Sequence, residues 1–273
     1  MLSDVTFGQY YPASSFVHKM DARVKLLLLI AYIVLIFVVK NFYGFLLATL
    51  FFLLATFFSK VPLLEVLKSV KAIILIVLIT VILNLFFYQV ENPTVLLEWG
   101  FIVITKEALI FSAFMALRLI LLVLGSSILS LTTTPVALTD GIESLLSPLK
   151  VIKFPVHELA LIMSIALRFI PILMSETDRI IMAQKARGAD FDSGNIFKRA
   201  TAMIPVLIPL LISAFRRADE LGDAMDARCY SGSTNRTKFK KLTLTWRDLV
   251  ATIVTVTIIT GVILLNTFMG VII

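Results

Sequence analysis

Two arginines, Arg187 and Arg228, have the side chains and settings best suited to binding another protein. The stretches QKARG at 184–188 and MDARC at 225–229 each place arginine after alanine, near the end of a segment that becomes increasingly polar. A guanidinium carries five N–H donors in a planar fork that fits carboxylates and carbonyl oxygens. Glycines, which often follow helix ends, come after both arginines: Gly188, Gly194 and Gly232. One such arginine alone favours a cap for its own helix, whereas two on similar helices favour a pair of docking sites.

Little else in the sequence could support catalysis. There is no GxxxxGK[ST] loop to hold phosphates, so nucleotide hydrolysis is not expected of this chain. His18 and His157 stand apart from any carboxylate cluster at metal-ligand spacing, so both are expected to be structural or interfacial. Cys229, the only cysteine, has no histidine near it in sequence. The sequence therefore predicts a protein that is not an enzyme and holds neither a metal nor a cofactor.

Two further arginines interrupt apolar segments. Arg118 lies in the run FMALRLILLVLG, where an unpaired cation costs at least a few kcal/mol. We expect it to form a salt bridge or another contact within a helix bundle, and a role in translocation is the alternative. Arg168 precedes Pro171, which removes a backbone N–H and should kink its helix. We expect Arg168 to support that bend by donating to the freed carbonyls, with direct partner contact as the alternative.

The composition predicts an integral membrane protein. Of its 273 residues, 59% are hydrophobic and 16% are charged, and the mean hydropathy is +0.98. Five stretches approach the roughly 20 apolar residues that cross a bilayer. They are 24–39, 42–58, 72–88, 108–131 and 249–271.

The basic residues predict how these stretches cross the membrane. Residues 132–247 carry 16 of the 25 Lys and Arg residues, and further lysines lie before the first span and between the second and third. The loop after the third span is acidic on balance, with three glutamates against Lys106. Cytoplasmic flanks collect Lys and Arg. Five spans with a cytoplasmic N-terminus and an external C-terminus therefore fit the sequence, with Lys40 as one exception.

The basic segment differs from an ordinary soluble domain. Residues 156–187 repeat apolar residues at spacings of three and four between charged ones, which predicts a long amphipathic helix kinked at Pro171. A second such helix is predicted at 197–228, with Pro205 and Pro209 near its middle. Each helix starts apolar and ends polar. That pattern suits a segment that leaves the membrane surface and presents its tip to a soluble partner.

The predicted architecture is an all-α integral membrane protein with about five transmembrane helices and a cytoplasmic coupling domain of long kinked amphipathic helices. Its predicted parts are a membrane region of four spans at 1–131, a coupling domain at 132–247 and a C-terminal transmembrane helix at 248–273.

Nearly the whole chain carries a resemblance to one known family. The segments that carry it are QKARG after ALRFIPILMSETDRI, the later DAMDAR, GQYYPASSFVHKMDARVKLL near the start, and LTTTPVALTDGIESLLSPLK. They resemble the transmembrane T component of energy-coupling factor (ECF) transporters, vitamin and micronutrient importers related to ABC transporters. In that family, paired Ala-Arg-Gly motifs end two coupling helices that dock on two cytosolic ATPases. The resemblance implies that the motifs here are Ala186, Arg187 and Gly188, and Ala227, Arg228 and Cys229.

Cys229 departs from the glycine of the family motif, which puts the local turn geometry in question more than the docking. The resemblance further implies the other subunits. Two ABC ATPases would bind and hydrolyse Mg-ATP, and a small membrane-embedded subunit would bind the vitamin or micronutrient. This chain would link them in a prokaryotic plasma membrane, and nucleic acid is not an expected partner.

Two other functional classes stay open at this point. A self-contained transporter would need polar residues near the middle of the membrane, for which Asn84, Arg118, Ser126 and Ser127 are few. A membrane-embedded enzyme would need an acid, base, metal or nucleophile constellation that the sequence lacks.

Overall fold

The computed structural model describes residues 10–87, 94–99, 102–152, 154–191, 195–230, 232 and 242–268. Its elements, in chain order, are α1 Ala22–Val38, α2 Phe42–Ser59, α3 Leu63–Phe87, β1 Val95–Trp99, β2 Ile102–Thr105, α4 Lys106–Thr132, α5 Pro135–Leu146, a 3-10 turn Ser147–Ile152, α6 Val156–Ala186, α7 Ile196–Ala202, α8 Ile204–Ala227 and α9 Trp246–Phe268. The predicted all-α class is confirmed. The chain adds one short antiparallel hairpin, with Glu98 opposite Val103, in a segment for which the sequence predicts only a loop.

Within the described residues, six helical segments are long and apolar enough to cross a membrane, judged by length and composition. Four of them, α2, α3, α4 and α9, coincide with predicted spans. The other two are α6 and the segment Phe197–Ala227, which the sequence places in the coupling domain. The predicted first span corresponds to α1, which has 17 residues and so lies at the lower limit of spanning length.

Helix α3 begins well before its predicted span. The apolar run starts at residue 72, but the helix starts at Leu63, where the N–H of Glu65 donates to the carbonyl of Pro62 at 2.9 Å. Proline is well suited to the approach to a helix start because it lacks an N–H that would otherwise need a partner. The first turns carry the exposed Lys68 and Lys71. A search for apolar runs therefore misses the first, polar turns of α3, although the backbone is helical there.

The chain divides into two compact units. Within the described residues, the membrane unit comprises 10–141 and 242–268, and the coupling unit comprises 142–232. The division falls inside α5, whereas the sequence places it at residue 131. The C-terminal helix α9 belongs to the membrane unit because it packs against α1 and α2.

The core of the membrane unit lies where α1, α2, α4 and α9 meet. Each helix contributes one of its most buried side chains, namely Ile36, Phe45, Leu121 and Val262. The rings of Phe45 and Phe114 stack with centroids 5.2 Å apart. In lipid such a core is stabilised by close packing, since the surrounding acyl chains are as apolar as the side chains themselves.

Buried polar contacts join the helices at the basic end of this unit. The carboxylate of Asp248 accepts hydrogen bonds from the backbone N–H and hydroxyl of Thr245, which holds the first turn of α9. The same carboxylate accepts from the backbone N–H of Asp21 at 2.9 Å, directly before α1. The ammonium of Lys25 donates to the carbonyl of Thr132 at 3.0 Å, at the end of α4. Helices α1, α4 and α9 are therefore held in register at this end.

Asparagines join the helices at the opposite end. Asn266 of α9 donates to the carbonyl of Val38 at 2.8 Å, and Asn41 donates to the carbonyl of Leu265 at 3.2 Å. These bonds satisfy carbonyls that are free at the C-termini of α1 and α9. The short turn between α1 and α2 is thereby tied to the end of α9.

Candidate partner-docking site

The candidate site is built on two helices of the coupling unit, α6 and α8, which pack against each other. Glu176 of α6 and Arg217 of α8 form a salt bridge with a 2.6 Å separation between Oε2 and Nη2. The side-chain amide of Gln184 lies 3.4 Å from the carbonyl of Pro205. Sequence reasoning missed the Glu176–Arg217 pair because it depends on how two helices pack, for which no local pattern exists.

The second predicted amphipathic helix is in fact two helices. A continuous helix over 197–228 is predicted, but α7 ends at Ala202 and α8 starts at Ile204, with Met203 between them. Pro205 stands in the first turn of α8, where its missing N–H costs nothing. Proline also disfavours the helical conformation of the residue before it. Pro209 and, in α6, Pro171 lie inside helices that continue past them.

Helix α6 ends in a Schellman motif centred on the first sequence motif. The N–H of Gly188 donates to the carbonyl of Lys185, and that of Ala189 donates to the carbonyl of Gln184, both at 3.0 Å. Gly188 has φ of 87°, in the left-handed region that glycine adopts without a steric penalty. The turn therefore depends on backbone groups alone.

Helix α8 ends in the same motif at the second sequence motif. The N–H of Cys229 donates to the carbonyl of Asp226 at 2.9 Å, and that of Tyr230 donates to the carbonyl of Met225 at 3.0 Å. Cys229 has φ of 55° and so takes the left-handed position. Replacement of glycine by cysteine at this position leaves the turn geometry unchanged.

The two tips also share their pattern of exposure. In both, the alanine, the arginine and the residue after it are exposed. These residues are Ala186, Arg187 and Gly188 in the first tip, and Ala227, Arg228 and Cys229 in the second. The flanking Ala189 and Tyr230 are half-buried. Among the described residues, neither guanidinium makes a hydrogen bond or salt bridge. Because backbone N–H groups already bond the carbonyls of Gln184, Lys185, Met225 and Asp226, neither arginine side chain is needed to cap its helix.

Arg118 belongs to the membrane unit, whereas the two tips belong to the coupling unit. Its Nη2 donates to the carbonyl of Val39 at 2.9 Å, and its guanidinium lies 5.7 Å from the ring centroid of Phe45. Val39 is the C-cap of α1, where the helix dipole is negative. The contact joins α4 to the turn between α1 and α2, so the structure places Arg118 within the bundle.

Arg168 has no comparable contact. Its side chain is exposed on α6, and it makes no hydrogen bond or salt bridge with any part of the chain that the structure describes. The carbonyls freed by Pro171 are therefore not bonded by Arg168.

The histidines and polar residues weighed for other functions bond to nearby protein groups. His18 pairs with the hydroxyl of Ser15 at 2.7 Å, and His157 with the carboxylate of Glu143 at 3.2 Å. The hydroxyls of Ser126 and Ser127 donate to carbonyls of their own helix, while Asn84 is half-buried on α3. Within the described ranges, no group of three or more potential ligands could hold a metal ion.

Comparison with known proteins gives a consistent result. Residues 13–239 match the family model CbiQ, described as cobalt transport protein. The chain is 51% identical over 253 residues to the energy-coupling factor transporter transmembrane protein EcfT of Clostridium kluyveri, covering 93% of each chain. It is 52% identical over 266 residues to the EcfT of Ruminiclostridium cellulolyticum, covering 97% of this chain and 98% of that protein. The EcfT of Bacillus subtilis is 44% identical over 248 residues, covering 91% and 93%.

Proposed function

We propose a coupling mechanism for this chain, which belongs to the CbiQ family of cobalt transport proteins and is the transmembrane component of an energy-coupling factor transporter. In this mechanism, two cytosolic ABC ATPases bind Mg-ATP and hydrolyse it, while this chain holds no cofactor of its own. The tips of α6 and α8 each dock on one ATPase. A small membrane-embedded subunit binds the vitamin or micronutrient, and this chain links its movement to the ATPases.

The observation that carries the proposal is the pair of exposed arginines on matching helix ends. Arg187 and Arg228 are exposed, and carbonyls in the last turn of each helix already accept hydrogen bonds from backbone N–H groups. A cation placed at a helix C-terminus without a local partner is suited to a carboxylate or carbonyl on another surface. The same arrangement occurring twice fits a pair of similar partners.

The packing of α6 on α8 supports transmission of movement. The Glu176–Arg217 salt bridge links the helices between their prolines and their tips. When the ATPases close, two linked rigid helices would shift as one element rather than bend independently. The basic flanks of the membrane unit favour a cytoplasmic N-terminus, which puts its basic end on the side where ATP is hydrolysed.

The test reverses the charge of both tips. We expect the Arg187→Glu, Arg228→Glu double variant to insert into the membrane normally, to lose copurification of both ATPases, and to lose ATP-dependent uptake. Truncating one member of a desolvated charge pair costs about 2–5 kcal/mol, and reversal adds repulsion. The matched control reverses the charge of an exposed arginine of α8 away from the tip, Arg216→Glu, and should assemble and transport normally.

Normal assembly and uptake in the tip variant would reject the docking role and leave both motifs as helix caps. Substrate transport by the purified chain alone in liposomes would instead indicate a self-contained transporter.

A further inference from the structure

A partly open apolar cleft of about 540 Å³ lies among α1, α2, α4 and α9. Its wall includes the aromatic residues Tyr32, Phe51, Phe52, Phe58 and Trp246. A cleft of this volume falls in the range of small-molecule sites. Because its wall offers almost no polar partner, it does not hold ordered water. Within a bilayer, such a space is filled by hydrocarbon.

The depth of the cleft matches one leaflet of the membrane. Along α9 its lining runs from Trp246 to Thr255, a distance of about 13 Å at the rise of an α-helix. Half of the hydrocarbon core of a bilayer is about 15 Å. Exposed lining residues lie on two helices, Leu54 and Phe58 on α2 and Val250 and Val254 on α9. The cleft therefore opens between α2 and α9, where lipid can enter.

The end of the cleft nearest the membrane surface is basic. Lys19 and Arg247 adjoin the lining residues Met20 and Trp246 in sequence, and Lys60 follows Phe58 by two residues. Contacts of Phe16 with Phe58 and Trp246 place these segments at one end of the unit, with ring centroids 6.2 Å and 5.7 Å apart. Among the residues that the structure describes, none of these three cationic side chains makes a hydrogen bond or salt bridge.

The other charged residues within two positions of the cleft lining already have partners. Lys25 lines the cleft, but its ammonium donates to the carbonyls of Thr132 and His18 and to the hydroxyl of Thr133. Asp21 is buried and paired with Arg23 at 2.7 Å. Asp248 is buried and holds the start of α9. Of the charged residues within two positions of the lining, those without such a contact are therefore all positive, and a positive patch at this level attracts anionic headgroups.

We propose that the cleft binds one acyl chain of an anionic glycerophospholipid, with its phosphate near Lys19, Lys60 and Arg247. The chain fills the apolar space between α2 and α9, and the headgroup neutralises the three free cations. The test of this site does not depend on the coupling role, because it measures lipid labelling and not transport.

Photolabelling of the full chain in phosphatidylcholine nanodiscs tests the site. The probe is phosphatidylglycerol with a diazirine in its acyl chain, and labelled positions are mapped by mass spectrometry. We expect labelling at Leu54, Phe58, Val250 and Val254 to exceed that at Leu75 and Leu78, which are exposed on α3. Filling the cleft with Ala251→Phe, or with Ala55→Phe from the opposite wall, should reduce cleft labelling about tenfold, equivalent to about 1.4 kcal/mol. Ala72→Phe on the exposed side of α3 is the matched control and should change nothing.

The headgroup is tested with a phosphatidylcholine probe that carries the same acyl chain. It should label the cleft more weakly than phosphatidylglycerol. The difference should disappear in the triple variant Lys19→Gln, Lys60→Gln, Arg247→Gln, whereas it should remain in the control variant Lys71→Gln. Equal labelling of the cleft and α3, insensitivity to both filling variants, or equal labelling by the two lipids would each overturn the proposal. The proposal would also be overturned if, in the assembled transporter, the lipid probe no longer labelled the cleft and labelled a partner subunit instead.

Discussion

Cys229 holds the same left-handed backbone position after α8 that Gly188 holds after α6, with φ of 55° and 87°. The N–H groups of these residues and of the residues after them donate to corresponding carbonyls, although only one of the two is glycine. A side chain in this region costs about 1 kcal/mol in steric strain. The second tip therefore keeps the shape of the first at a small cost in stability.

Cys229→Gly should stabilise the end of α8 by about 0.5–1 kcal/mol, since relief of strain is partly offset by the greater freedom of glycine in the unfolded chain. Hydrogen exchange of the Tyr230 N–H, which donates to Met225, should slow accordingly. Gly188→Cys is the reciprocal control. A Cβ at residue 188 meets no atom within 4 Å, so its cost is conformational alone. Faster exchange at Tyr230 in Cys229→Gly would contradict the assignment of strain to Cys229.

Glu176 and Arg217 should hold the two tips at a fixed separation. Both side chains are partly exposed, at 29% and 37%, so their interaction is expected to contribute less than about 1 kcal/mol. Spin labels at residues 183 and 224, in a Cys229→Ser background, would report the distance between the tips. Arg217→Glu should broaden the distance distribution, and adding Glu176→Arg should narrow it again. Arg216→Glu is the neighbouring control and should leave the distance distribution unchanged. If Arg217→Glu also leaves it unchanged, the Glu176–Arg217 salt bridge does not set the distance between the tips.

Arg118 should contribute to stability rather than to translocation. Arg118→Met removes the hydrogen bond to the carbonyl of Val39 and the contact with the Phe45 ring, at a cost of about 2–3 kcal/mol. Arg118→Lys keeps the charge but loses the planar fork, so it should be intermediate. Thermal unfolding of the purified chain in detergent measures both. Unchanged unfolding together with lost uptake would favour the translocation role.

Gly125 should resist substitution because α4 approaches the Tyr32 ring of α1 at this residue. An added Cβ would overlap Cε1 of Tyr32, so the ring would have to move, which weakens its 3.1 Å hydrogen bond to the carbonyl of Leu121. We expect Gly125→Ala to destabilise the membrane unit by about 1–3 kcal/mol. Tyr32→Phe should lose only the hydrogen bond, about 1 kcal/mol. Combining Gly125→Ala with Tyr32→Leu should recover part of the loss in thermal stability. If the double variant is no more stable than Gly125→Ala alone, the clash lies elsewhere.

The amphipathic pattern of α6 could be predicted to its end, because helix periodicity and terminating glycines are local properties of the chain. The prediction for α8 succeeded at its C-terminus and failed at its start, where Pro205 begins a new helix. Local rules state that proline disfavours the preceding helical residue, but they do not decide between a kink and a break, since neighbouring contacts determine which costs less. All the site residues at the tips were proposed from the sequence. That the two turns match could be seen only from the backbone conformation of the structure.

By itself the sequence determined the class of protein, four of the helices that can cross a membrane and the two arginine motifs, since hydropathy, charge and helix-end residues act over a few turns. Tertiary structure decided everything that requires two distant segments to meet. It paired Glu176 with Arg217, gave Arg118 a carbonyl at the end of α1, and opened an apolar cleft between α2 and α9. It also decided that Cys229 accepts a glycine conformation, because the hydrogen bonds of the turn outweigh the strain of its side chain.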